Sequence, residues 1–131
     1  MDIKTAYTRL LVADLQACFE FYRDVLEFTV VTEALEDGYA EFSTPGMKLA
    51  LFRRQEMAQM IGSDRPPVTV ECQDKVALIF TIANVDKVYH DLKVKGVTFV
   101  TEPLNNPYYS LKTVYLRDPD GTLIGLFEPM M

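Results

Sequence analysis

Arg9-Leu-Leu-Val-Ala-Asp-Leu15 and Ile79-Phe-Thr-Ile-Ala-Asn-Val85 decide the fold, because they describe the same event twice. In each, residues alternate with the period of a strand that turns one face to a core, and an Asp or Asn then stands where a helix would begin. A second pair, Leu49-Ala-Leu-Phe52 and Ile124-Gly-Leu-Phe127, follows in the same order. The first pair is offset by 70 residues and the second by 75, so the chain reads as one βαβββ unit written twice with a few insertions. Corresponding positions of such repeats are expected to meet around one shared cavity.

Working outward, Asp14 is expected to cap a helix running to about Glu27, with Leu15, Cys18, Phe19, Tyr22 and Leu26 at three- and four-residue spacing. Thr29–Thr32 reads as a strand, Glu36-Asp-Gly38 as a turn, and Tyr39–Ser43 with Lys48–Phe52 as a hairpin about Thr44-Pro-Gly46. The order then recurs. Asn84 caps a helix ended by Gly96, Val97–Thr101 reads as a strand, and Thr113–Arg117 pairs with Thr122–Phe127 across Asp118-Pro-Asp-Gly121. Between the halves, a short helix is expected near Gln55–Ile61, before Gly62 and Pro66-Pro67. The expected plan is a single domain over 1–131, with repeat one at about 5–54, a connector at about 55–75 and repeat two at about 76–129.

Composition bounds the function. With 131 residues, 49% of them hydrophobic, the chain can bury one real core. It contains no apolar run of the roughly 18 residues a membrane span needs, and Met1-Asp-Ile-Lys4 lacks a signal peptide's apolar stretch, so a cytoplasmic location is expected. Cys18 and Cys72 form no CxxC or zinc pattern and are expected as free thiols. A net charge of −6 argues against a nucleic-acid partner, which would need a basic stripe. The acidity weakly favours a cationic guest, and ordinary solubility explains it at least as well.

Asp14-Leu-Gln-Ala-Cys-Phe-Glu-Phe-Tyr-Arg-Asp-Val-Leu-Glu-Phe28 resembles the D-L-x-x-S-x-x-F-Y-x-D-x-L-G-F opening of the vicinal oxygen chelate superfamily, which includes glyoxalase I, bleomycin resistance proteins and extradiol dioxygenases. Leu116-Arg-Asp-Pro-Asp-Gly-Thr-Leu-Ile-Gly-Leu-Phe-Glu-Pro129 resembles its closing D-P-D-G-N-x-I-E-L hairpin. The resemblance implies an α+β fold: two βαβββ repeats form a curved mixed sheet around a central cavity, with helices on the convex side. It says little about the reaction, because lyases, epimerases, dioxygenases, transferases and non-catalytic binders share this scaffold.

Enzymes of this superfamily hold a divalent metal with His or Glu on the first strand and on the closing hairpin of each half, and the ion acts as a Lewis acid on chelated substrate oxygens. Carried over residue by residue, the first-strand positions are Tyr7 and Ala77, seven before Asp14 and Asn84. The hairpin positions are Gly125, where the motif has Glu, and by the repeat Ala50. One phenol and three small apolar residues make no site for a divalent ion, so no metal cofactor is expected. His90, the sole histidine, lies on the second helix and reads as a solvated surface imidazole.

The same alternation turns Tyr7, Arg9, Ala50, Phe52, Ala77, Ile79, Gly125 and Phe127 toward the concave face, joined by Tyr115 and by Glu41, which shares a side with Tyr39. This is the make-up of a mostly apolar, aromatic-edged small-molecule site, unless aromatic neighbours fill the room left by the small residues. Tyr108 and Tyr109, in Pro107-Tyr-Tyr-Ser110, would form either a lid that stacks on a flat ligand or an anchor at a homodimer interface. No nucleophile–base pair, GxSxG or phosphate loop is present. Glu41, Tyr7 and Arg9 are the only acid–base candidates, and weak ones. The leading expectation is a metal-independent binder of an antibiotic-like or aromatic compound, with no nucleic-acid or membrane partner. A lyase, isomerase or dioxygenase with an atypical site is the alternative, and a structural dimer with a filled cavity the third.

Overall fold

Strand β1 (Thr8–Val12) buries Leu10 and Val12 and leaves Leu11 exposed, the one-sided burial its alternation requires. Asp14 then accepts a hydrogen bond from the Ala17 N–H at 3.0 Å and opens helix α1 (Leu15–Glu20). The computed structural model describes residues 1–60 and 76–130, and backbone contacts divide the chain into two units, Met1–Thr69 and Val70–Met131. Unit 1 continues with β2 (Thr29–Ala34), β3 (Tyr39–Thr44), β4 (Met47–Arg53) and helix α2 (Arg54–Met60). Its sheet runs β1-β4-β3-β2, with β1 parallel to β4 and the other pairs antiparallel.

Unit 2 contains β5 (Ala77–Thr81), helix α3 (Val85–Val94), β6 (Leu104–Asn106), β7 (Leu111–Arg117) and β8 (Leu123–Pro129). Its sheet runs β5-β8-β7-β6 with the same mixture of one parallel and two antiparallel pairings. The repeat seen in the sequence is therefore a repeat of topology, an α+β arrangement of two four-stranded mixed sheets.

Under the unit 1 sheet an aromatic cluster makes the core. Phe42 lies 5.6 Å from Phe19, 5.9 Å from Tyr22 and 6.4 Å from Phe28 between ring centroids. Phe19, Tyr22 and Phe42 are fully buried together with Cys18, while Cys72, Gly62 and Pro66-Pro67 lie outside the described residues. In unit 2, Asn84 accepts from the Lys87 N–H at 3.0 Å, and Glu128 caps α3 a second time by accepting from the Val85 N–H at 2.7 Å. Asp118 builds the β7–β8 turn, its Oδ1 accepting from the Asp120 and Thr122 N–H groups at 2.8 Å each. This carboxylate is buried for structure.

The structure corrects two details. The first helix reaches Leu26, but its last stretch, Phe21–Val25, is wound as a π-turn in which the Leu26 N–H reaches back to the Phe21 carbonyl. Glu27 then takes φ 59°, a left-handed conformation, where the family motif has glycine. The second correction concerns Val97–Thr101, which forms one isolated bridge, Phe99 to Leu116, and no strand. The Val100 and Thr101 N–H groups both donate to the Tyr115 carbonyl, and the Tyr115 N–H is taken by the Thr101 hydroxyl at 3.1 Å, so a side chain interrupts the ladder. Phe99 packs on Tyr89 at 4.6 Å, and the outer strand forms later, at β6.

Candidate functional site

Register sets the unit 1 face. Arg9 stands beside Ala50 and Ala50 beside Glu41, while Leu11, Phe52 and Tyr39 form the next row on the same face. The side chains on this face converge on Arg9. Its guanidinium carbon lies 4.8 Å from the centre of the Phe52 ring and 5.8 Å from those of Tyr7 and Tyr39, and Phe52 and Tyr39 meet edge to face. Such a box favours a cation through the ring quadrupoles.

The polar contacts of that cation are poor. Nη2 donates to the Tyr7 hydroxyl at 3.3 Å, Nη1 to the weak acceptor Sδ of Met57 on α2 at 3.8 Å, and Nε is buried with no partner. Among the described residues no carboxylate lies within ion-pair distance of Arg9. Glu41 instead accepts from the Tyr39 hydroxyl at 3.0 Å. Burial, and then this hydrogen bond, hold the Tyr39 phenol above its ordinary pKa.

The equivalent row of unit 2 is Ile79, Gly125 and Tyr115, followed by Thr81, Phe127 and Thr113. Here the space over Gly125 is filled. A Cβ placed on Gly125 would lie 2.8 Å from Ile79 Cδ1 and 2.9 Å from both Phe127 Cε1 and Tyr115 Cε1, closer than real Cβ contacts come. Tyr115 and Phe127 themselves pack edge to face at 5.8 Å. Glycine is required by what lies against it, since its φ is outside the left-handed range.

These surroundings bear on the metal that the family resemblance implies. A Glu at 125 could not enter without moving three side chains, and Ala50 is fully buried between Arg9 and Glu41 with no donor atom. Ala77 starts β5 as an exposed methyl, and the Tyr7 hydroxyl is engaged with Arg9. Among the described residues no group of three or more His, Cys, Asp or Glu could hold a metal ion. The residues present do not fit a divalent ion at the family positions. His90 is exposed on α3.

The remaining candidates fall elsewhere. Tyr108 and Tyr109 form the turn between β6 and β7, packed edge to face at 4.7 Å and 85% and 65% exposed. Among the described residues, each unit carries a shallow cleft. One of about 380 Å³ is lined by Thr5, Ala6 and the β3–β4 hairpin, and one of about 350 Å³ by α3 and residues 97–102. Sequence reasoning placed Tyr39 on the right face without naming it as a site residue. It missed Met57, whose approach to Arg9 depends on α2 folding back, which no periodicity reports.

Comparison with known proteins agrees with this architecture. The profile of the Glyoxalase/Bleomycin resistance protein/Dioxygenase superfamily matches residues 4–126. The chain is 34% identical over 126 residues to the uncharacterized protein YraH of Bacillus subtilis (strain 168), covering 96% of this chain and 98% of that one. The chain belongs to the glyoxalase/bleomycin resistance/dioxygenase superfamily. Among solved structures, a glyoxalase/bleomycin resistance protein/dioxygenase from Nocardioides superposes with a TM-score of 0.77 at 24% identity, covering 99% of this chain and 87% of that one. A lactoylglutathione lyase from Agrobacterium tumefaciens gives 0.73 at 23% identity, covering 95% and 92%. At these identities the likeness is one of fold. No helix of the described residues is long and apolar enough to cross a membrane.

Proposed function

We propose that this protein is a metal-independent member of its superfamily that binds a small aromatic or antibiotic-like compound, in the manner of a resistance protein that sequesters its ligand. The observation that carries the reading is the Arg9 box. Three aromatic rings and a cation with unmet hydrogen-bonding capacity share one face of unit 1, while at the corresponding place in unit 2 side chains close over Gly125. A flat guest can stack on Tyr7, Tyr39 or Phe52 and take its polar contacts from Arg9. The poor fit of Ala50 and Gly125 to a metal supports binding over the chelate chemistry of glyoxalase-type enzymes.

The test is a thermal-shift screen of the full chain against a library of small aromatic compounds, with each hit incubated and analysed for product. A ligand that binds the folded state raises its apparent stability by mass action. The expected result is at least one saturable, chelator-insensitive shift with the compound recovered unchanged. Turnover of a hit would establish the enzyme alternative, and a library without a single shift would favour a structural protein.

A further inference from the structure

We propose that the Arg9 box recognises an anionic group on the ligand, a carboxylate carried by or next to an aromatic ring. This rests on the small-molecule reading above and narrows it to a chemical class. The argument is one of unmet capacity. A guanidinium presents its donors in a rigid planar fork that matches a carboxylate edge. Around Arg9 the protein supplies rings, with the centre of Phe52 at 4.8 Å and those of Tyr7 and Tyr39 at 5.8 Å from the guanidinium carbon. It does not supply acceptors to match. Among the described residues, Nε is buried without a partner, Nη1 has only a sulfur at 3.8 Å, and Nη2 only a long contact to Tyr7.

An unsatisfied buried donor is costly to a folded chain and rare in one, so it commonly marks the place of a missing acceptor. The chain's own nearby carboxylates are engaged elsewhere: Glu56, beside Met57 on α2, pairs with Arg53 through Oε1 at 2.6 Å and leaves its Oε2 buried without a partner among the described residues, and Glu41 is held by Tyr39. Glu41 stands one strand beyond Ala50 in the register. Acidity of the whole chain points to a cationic guest, but local chemistry decides recognition: the group that this face leaves unpaired is a cation. A ligand carboxylate at the exposed Nη2 edge, with the side-chain movement that opens the buried Nε to it, would satisfy both, with its ring against the neighbouring aromatics.

The test compares three probes of nearly the same size, benzoate, benzamide and benzylammonium, titrated into the full chain and followed by ¹H–¹⁵N spectra that include the Arg9 Nε–H signal. Benzoate is expected to bind at least about tenfold tighter than benzamide, since hydrogen bonds to charged groups are the stronger kind. Benzoate alone should move the Arg9 Nε–H resonance strongly. Arg9→Met should abolish the preference, and Arg9→Lys, which keeps the charge but loses the fork, should remove most of it. Equal binding of benzoate and benzamide, or tightest binding of benzylammonium, would overturn anion recognition while leaving aromatic binding standing. A preference that survives in R9M would place it at another site and overturn the assignment. Failure of all three probes to bind would count against both this inference and the reading beneath it.

Discussion

The two sheets share a strand order and a register, yet the rows at their centres are unlike. In unit 1 the row is Arg9, Ala50 and Glu41; in unit 2 the positions with the same pairings hold Ile79, Gly125 and Tyr115. One copy keeps charges and hydrogen-bonding groups on its face. The other has closed over its smallest residue with Ile79, Tyr115 and Phe127. The backbone pattern is thus held by buried apolar residues such as Val12, Leu49, Leu51, Val114 and Ile124, while the residues between them are free to diverge. A duplicated scaffold need not duplicate its chemistry.

The largest effect that would break the comparison is expected from restoring the family's carboxylate. Gly125→Glu should cost about 3 kcal/mol or more in chemical denaturation, because it overpacks a closed wall and places a charge there. It should also create no metal affinity. A stable G125E protein that binds a divalent ion would show that the unit 2 wall opens easily. Gly125→Ala is expected to be milder, at about 1–3 kcal/mol. Combining it with Ile79→Ala should recover about 1 kcal/mol relative to the sum of the single changes, because the two sites touch. Additive changes in the double mutant would mean that Ile79 does not close the site.

Unit 1 should behave differently. Arg9→Met is expected to shift stability by no more than about 1 kcal/mol, the range of exposed and half-buried cation–π contacts, since no ion pair among the described residues is lost. A loss of several kcal/mol would make Arg9 a structural residue. Tyr39 sharpens the same contrast through pH. Its pKa is raised by burial and by Glu41, so its contribution is full below the ordinary tyrosine range and is lost as pH rises through the folded-state value. Denaturation curves of wild type and Tyr39→Phe should therefore converge on the alkaline side, and Glu41→Gln should lower the pKa seen in a phenolate absorbance titration. A titration unmoved in E41Q would leave burial as the sole cause.

The smallest expected effect concerns how the two helices end. The first is followed by Glu27 at φ 59°, the second by Gly96 at φ 93°, where the Val97 N–H returns to the Leu92 carbonyl. Gly96→Glu should cost about 1 kcal/mol, whereas Glu27→Gly should be neutral or slightly stabilising, since relief of left-handed strain is set against glycine's unfolded-state entropy. Similar losses in both variants would mean that Glu27's side chain repays its strain.

Much of the fold could be read from the sequence because it rests on local rules. Asp14 and Asn84 cap helices, Gly96 ends one, and the alternation about Leu10, Leu49, Leu78 and Ile124 decides which face is buried. Val97–Thr101 misled because its pattern is that of a strand, while the pairing is decided by the Thr101 hydroxyl taking a ladder donor. The candidate site was legible as a list of faces and opaque as a geometry. Periodicity places Arg9, Glu41 and Phe52 on one side, but whether Arg9 pairs with Glu41 or is boxed by rings depends on rotamers and on Met57 from α2. That Gly125 is closed over needed three side-chain positions that no pattern encodes.

The central claim is that this face chemistry works without a metal. It is tested most directly by metal analysis of the untagged protein, gently purified, together with thermal-shift titration of the same sample with Ni²⁺, Zn²⁺, Fe²⁺ and Mn²⁺. The account predicts far less than stoichiometric metal and no shift with any of the four. About one equivalent of a single metal, with a clear rise in the transition temperature on adding it back, would contradict the account and would send the protein to lyase and dioxygenase assays.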